Sequence, residues 1–148
     1  MAATQFELVT PSRTLYSGQA EMIVCRTVDG EIAFLANHMP YIGALDTCVV
    51  RIVGPGAGDA DTSGEPDVRV AVLGGFVEVK DNQVIMLADV AEPASEVDVE
   101  QARRDETAAN ERVSSSGDDE NAMAAAEADL RWAQVRLEVA EGMVVASR

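Results

Sequence analysis

A single lysine, Lys80, and a single histidine, His38, are found among the 148 residues of this chain. Eleven basic residues face 26 acidic ones, for a formal charge of −15. A nucleic-acid binder neutralises phosphates with clustered Lys and Arg, whereas the arginines here are scattered. DNA and RNA are therefore not expected partners. The same sign opposes adhesion to an anionic leaflet, where each basic residue contributes about 1 kcal/mol and each acidic one works against it. One histidine cannot form a metal-binding His pair, and no metal site is expected. His38 lies between Asn37 and Met39 with no Ser or Cys elbow to activate. A hydrolase built on it is a weaker reading than a loop histidine held by local hydrogen bonds or a partner. The chain has no GxxxxGK[ST] loop, no GxGxxG after a strand, no HExxH and no GxSxG, so no catalytic residue is assigned.

Long apolar runs are also missing. The longest, Ala71 to Val77 and Gly142 to Ala146, fall far short of the ~18 to 20 residues that a membrane helix needs. The N-terminal MAATQFELV has neither a basic start nor an apolar h-region, and a soluble cytosolic protein is expected. Cys25 and Cys48 stand apart without CxxC spacing, each in an apolar strand-like run, and are read as reduced core residues. What is present is 47% apolar composition, enough for a chain of this length to bury roughly two thirds of its extended surface.

Up to about Val90 the apolar residues alternate in short segments bounded by Gly, Pro, Asp and Asn. Phe6 and Leu8 precede Thr10-Pro11, AEMIVCRTV runs into Asp29-Gly30, and TCVVRIV, VRVAVLGGFVEV and QVIMLADV follow. Eight or so strands with no intervening helix predict a sandwich or barrel. Asp81-Asn82 joins the last two segments as a tight hairpin turn. Gly74-Gly75 inside a strand predicts a bulge. Between Val53 and Val68 the run GPGAGDADTSGEPD reads as an exposed loop. Asp59, Asp61, Ser63 and Gly64 match the start of a calcium loop, but the twelfth position is Val70 and Pro66 interrupts it, so calcium is not expected.

After Ala91-Glu92-Pro93 the period changes. Asp98 caps a helix to about Arg112 with a thin stripe of Val99, Ala102, Ala109 and Val113. Ser114 to Gly117 break it, and Asp118, Asp119 and Glu120 supply negative charge to the next N-terminus. Ala126, Leu130, Ala133, Leu137, Ala140 and Val144 then form a continuous face. The expected organisation is an all-β sandwich over residues 1–92 and an α-helical hairpin over 93–148. The sandwich part carries five bases and thirteen acids, a net of −8, and the shorter hairpin six and thirteen, a net of −7. Ten alanines lie between Ala102 and Ala140. Alanine buries little area, so this interface is weak beside a Leu-rich one and suits a hairpin that docks reversibly. The residues alone lead to an interaction protein, such as a free-standing acidic adaptor or binding module.

The order of several short motifs is more specific. Val9-Thr10-Pro11, Tyr16-Ser17-Gly18, Gly30-Glu31 and His38-Met39-Pro40, then Gly74-Gly75-Phe76, Val79, Asn82, Val84 and Leu87-Ala88-Asp89, resemble the epsilon-subunit family of F-type ATP synthases. The resemblance implies a sandwich of about ten strands, bound to the gamma subunit and seated on the ring of c subunits at the cytoplasmic face of a bacterial membrane. It implies a non-catalytic rotor subunit that couples proton-driven ring rotation to ATP synthesis. The hairpin, through Ala126, Leu130, Ala133 and Leu137, would extend along gamma toward the alpha and beta subunits and restrain hydrolysis. Asp29, Gly30 and Glu31 would lie toward the c ring, with His38, Met39 and Pro40 in the same lower region. No cofactor is implied.

The chain departs from the family pattern in places. Ala33 stands where Gly is usual and Ala36-Asn37 where ProGly is usual, so a different path is expected before His38. The loop Gly54 to Asp67 looks longer than usual. Of the pattern by which some members bind ATP, Asp98, Ala102 and Arg136 match. Gln101, Asp105, Ala108, Ala109 and Trp132 do not, and the missing cationic forks remove bidentate phosphate contacts. Nucleotide binding is not expected.

Overall fold

The computed structural model describes residues 2–54 and 67–146, with backbone only at Asp67 and 142–146. The loop read as a possible calcium site, from Asp59 to Gly64, lies outside the described residues. Eight strands come first: β1 (Thr4–Val9), β2 (Thr14–Ala20), β3 (Met22–Thr27), β4 (Gly30–Leu35), β5 (Tyr41–Ala44), β6 (Cys48–Val53), β7 (Asp67–Lys80) and β8 (Gln83–Pro93). A single 3-10 turn (Ala94–Glu96) leads to helices α1 (Val99–Ser115) and α2 (Glu120–Ala146).

Hydrogen bonding links the strands in the order β2-β1-β8-β7-β6-β3-β4, with β5 alongside β7. β7 and β8 form a long hairpin around Asp81 and Asn82, whose φ values of 51° and 58° are those of the predicted tight turn. The first arm of β7 pairs with β6 and the second with β5. β8 pairs in parallel with β1 through Gln83 to Leu87 only. Counted by arms, these two long strands bring eight to the ten that the family resemblance implied.

The predicted bulge is not there. Leu73 pairs with Val90 and Gly75 with Ala88, so neither strand gains a residue. Instead the hairpin bends and turns over. Val70 and Val72 point into the core before the bend, and Val77 and Val79 after it, so the inward face changes parity. Two glycines permit this, with φ of 69° at Gly74 and 120° at Gly75. A Cβ on Gly75 would run into the Leu87 carbonyl oxygen and come within 2.8 Å of the Ala88 Cα. The bend closes the sheet on itself, and one core holds Phe6 and Leu8 of β1 with Ile23 of β3, Phe34 of β4 and Ile52 of β6.

Asp98 caps α1 as the sequence predicts, its side chain accepting from Gln101 N at 3.1 Å. Asp119 does the same for α2 through Ala122 N at 3.0 Å. Gly117, at φ 55°, turns the chain between them. Because the obstacle at Gly75 is backbone, Gly75→Ala is expected to lower the stability of the sandwich by about 3 kcal/mol. Chemical denaturation measures this, and Gly117→Ala, where nothing crowds the added Cβ, is expected to cost much less.

Candidate functional site

α2 is buried on two opposite sides. Along one side Ala126 and Ala133 are fully buried, Leu137 nearly so and Leu130 half-buried, which is the face predicted from the sequence. It meets α1, which makes its element contacts with α2, and Ala102 and Ala109 of α1 are fully buried there. On the other side Val135 and Val139 pack on Ala71 of the sandwich, flanked by Val49, Ala94, Val97 and Trp132. This second face was missed in the sequence. Its signal, Trp132, Val135 and Val139 at spacings of three and four, was present but lay beside a longer alanine stripe.

Two ion pairs tie the helices together. Arg112 meets Asp129 at 2.8 Å near the turn, with both side chains more than half exposed. Arg136 meets Asp105 at 2.7 Å, and here the arginine side chain is only 11% exposed. Its guanidinium also lies 5.4 Å from the Trp132 ring centre, while its buried Nε has no hydrogen-bond partner. The Arg136 hydrogen bond, helped by one from Gln101, holds the Asp105 carboxyl below the usual carboxylate range. The three positions that match a nucleotide pattern therefore have internal work. Asp98 is a cap, Ala102 is helix packing, and Arg136 is engaged by Asp105.

The two loop motifs do not form one region. Asp29 and Gly30 make the β3-β4 turn, with the Thr27 hydroxyl accepting from Asp29 N at 3.1 Å. Val28 at its tip is 71% exposed, and Asp29 and Glu31 are exposed beside it. His38, Met39 and Pro40 follow the far end of β4, roughly 16 Å away at about 3.3 Å per residue. The expected common lower region is corrected accordingly: a six-residue strand separates its two halves. Asn37 takes the left-handed φ of 62° that a glycine would supply, and its N–H donates to Asn82 Oδ1 at 2.7 Å. His38 stacks edge-on to Phe34 at 5.0 Å, and its Nδ1 donates to the Met39 carbonyl at 2.7 Å. That is the locally bonded loop histidine favoured from the sequence.

An apolar outer face adjoins the His38 loop. Met39, Ile42, Phe76 and Leu87 are 56% to 72% exposed, and Phe76 pairs with Leu87 across the β7-β8 ladder. The cysteines face the core as predicted, both as free thiols. Burial pushes the Cys25 thiol up to about 12, and also raises that of Cys48. Neither suits nucleophilic chemistry.

The beta-sandwich domain of the ATP synthase delta/epsilon chain, as a family, matches residues 3–94. The chain belongs to the ATP synthase epsilon-chain family. An ATP synthase epsilon chain of Brevibacillus brevis is 42% identical over 113 residues, 76% of this chain and 80% of the relative. One from Desulforamulus reducens is 34% identical over 148 residues, covering 99% of both chains. Among solved structures, a chain of the Euglena gracilis mitochondrial ATP synthase, in an assembly of OSCP, F1 and c-ring, superposes with a TM-score of 0.71 at 22% identity. It covers all of this chain and 83% of its own. The relatives thus span both the sandwich and the hairpin.

Within this family framework α1 is the outermost layer, held by alanines and two ion pairs. Asp105→Asn is expected to cost about 1 kcal/mol and to raise amide exchange in α1 about fivefold, with little change in β1 and β8. Because the Asp105 carboxyl is depressed in the folded state, its contribution is present above the ordinary carboxylate range and lost as pH falls through its lowered value. Acidification below about pH 4 is therefore expected to loosen α1 in the parent and much less in the variant.

Proposed function

We propose that this chain is a non-catalytic central-stalk subunit of a proton-translocating F-type ATP synthase, coupling rotation of the c ring to ATP synthesis. The observation that carries the reading is family membership over both the sandwich and the hairpin, with a relative aligned along 99% of each chain. We read residues 1–92 as the domain that anchors to the rotor and 93–148 as a regulatory hairpin. The complex would hold the subunit peripherally at the cytoplasmic face of a bacterial membrane, so that its charge of −15 meets protein loops and not lipid.

The separation of the loop motifs divides the contacts. The acidic turn of Asp29, Gly30 and Glu31 suits basic and polar loops of the c ring. The loop of His38, Met39 and Pro40, continuous with exposed Ile42, Phe76 and Leu87, suits the apolar contact of a permanent neighbour, the gamma subunit. Asp98, Ala102 and Arg136 serve the hairpin in this reading and need no nucleotide. The hairpin, through Ala126, Leu130, Ala133 and Leu137, would exchange its intramolecular partners for alpha, beta and gamma surfaces when extended.

A tagged full-length chain is expected to bring down gamma and c subunits from native membranes. Glu31→Lys is expected to weaken c-ring retention severalfold while gamma is kept; equal recovery of both would remove the assignment of that turn. Truncation before Val97 is expected to raise ATP hydrolysis by the assembled enzyme, and an unchanged rate would reduce the hairpin to a structural role.

A further inference from the structure

The sandwich owns only five cations, and their placement is uneven. Arg13 binds Glu96 at 2.6 Å, tying the β1-β2 turn to the segment that leads into the hairpin. Arg26, Arg51 and Arg69 all line one cleft of about 580 Å³ between the outer face of β3, β6 and β7 and the flank of α2. Arg51 and Arg69 are direct cross-strand partners, and like charges set opposite each other destabilise a sheet unless something offsets them. The α2 flank facing this cleft presents Arg131, Glu138 and Glu141, and Glu31 of β4 completes the lining. In a domain of net charge −8, four of five cations thus lie toward the hairpin.

The order of charges along the cleft is complementary. Arg131 is near enough to the Cys48 thiol to favour its ionised form electrostatically, which places it at the start of β6. Glu31 is cross-strand partner to Arg26 and is felt by Cys25, at that same end. From Arg131 to Glu138 the helix rises about 10 Å, and Cys48 to Arg51 along β6 is about the same. The α2 acids therefore travel with the Arg51 and Arg69 pair, and the α2 cation with Glu31. Val135 and Val139 sit between these two zones on Val49 and Ala71, and this apolar patch is small and nearly symmetric along the helix axis. It fixes where α2 rests better than which way it points.

We infer that the arginine strip of β6 and β7 is a docking surface for an acidic helix face, occupied in this structure by Glu138 and Glu141 of the chain's own α2, and that this charge pattern sets the direction and strength of hairpin docking. The charges act across a cleft and not through closed ion pairs, so salt screens them efficiently. Between about 20 mM and about 500 mM salt the screening length falls from roughly 20 Å to roughly 4 Å. The inference concerns the docked hairpin of the isolated full-length chain, so its failure would leave the proposed place in the ATP synthase untouched.

Trp132, the one tryptophan, lies half-buried at the interface between hairpin and sandwich and reports docking directly. Over that salt range, amide exchange in α2 from Arg131 to Glu141 is expected to rise about fivefold, with Trp132 emission moving to the red and exchange in β1 and β8 unchanged. Glu138→Gln with Glu141→Gln is expected to give the loosened state already at low salt and to flatten the salt response. Glu138→Lys with Glu141→Lys is expected to loosen α2 further, and Arg51→Glu with Arg69→Glu added to it is expected to restore docking. Salt-independent exchange in the parent, or a Gln variant as tight and as salt-sensitive as the parent, would overturn the inference. Failure of the reversed pairs to rescue docking, in a quadruple variant whose β1 and β8 exchange as in the parent, would also overturn it.

Discussion

Everything in this molecule depends on one bend. The β7-β8 hairpin is too long to serve a single layer, and Gly74 with Gly75 lets it turn over without losing register. One arm then gathers β6, β3 and β4, and the other gathers β1, β2 and β5. The parity change at the bend keeps the apolar residues of both arms inside, from Val70 and Val72 to Val77 and Val79. The same turn-over leaves the face with Val49 and Ala71 available to a helix, and the face with Phe76 and Leu87 available to a neighbour. A backbone constraint at two residues therefore distributes the surfaces between the hairpin and the outside.

Energetically, the hairpin is built as a series of progressively thinner attachments. The sandwich has a continuous core of large aliphatic and aromatic side chains. α2 rests on it through Val135, Val139 and Trp132, and α1 rests on α2 through alanines and ion pairs. Each layer outward buries smaller side chains and relies more on charge. A hairpin of this construction can leave the sandwich without disturbing the core beneath it, which is what a regulatory arm on a permanent rotor body requires.

Much of this was legible in the residues. The alternation to Val90, the tight turn at Asp81-Asn82, the caps at Asp98 and before Glu120, and the alanine face all rest on local chemistry that the chain carries with it. The failures have a common cause. A glycine pair in a strand signals departure from regular pairing, but whether the partner strand bends with it is decided by the partner. The second face of α2 became important only because a sheet lies against it. The Asp29 and His38 motifs are close in sequence, and the rigid extension of β4 keeps them apart in space. Residues whose role depends on a distant element were the ones that sequence patterns alone did not place.

The parallel pairing of β1 with β8 has a consequence for how the chain is made. Every other ladder joins strands running in opposite directions, while the first strand must hydrogen-bond to Gln83 through Leu87. During synthesis β1 leaves the ribosome with only β2 to pair with, and its core face of Phe6 and Leu8 stays uncovered until more than half of the chain has been made. By then the acidic hairpin is all that remains to be translated. The part of the molecule that can detach is thus the last to be born, and it emerges onto a sandwich that has just acquired the strand it needed to close.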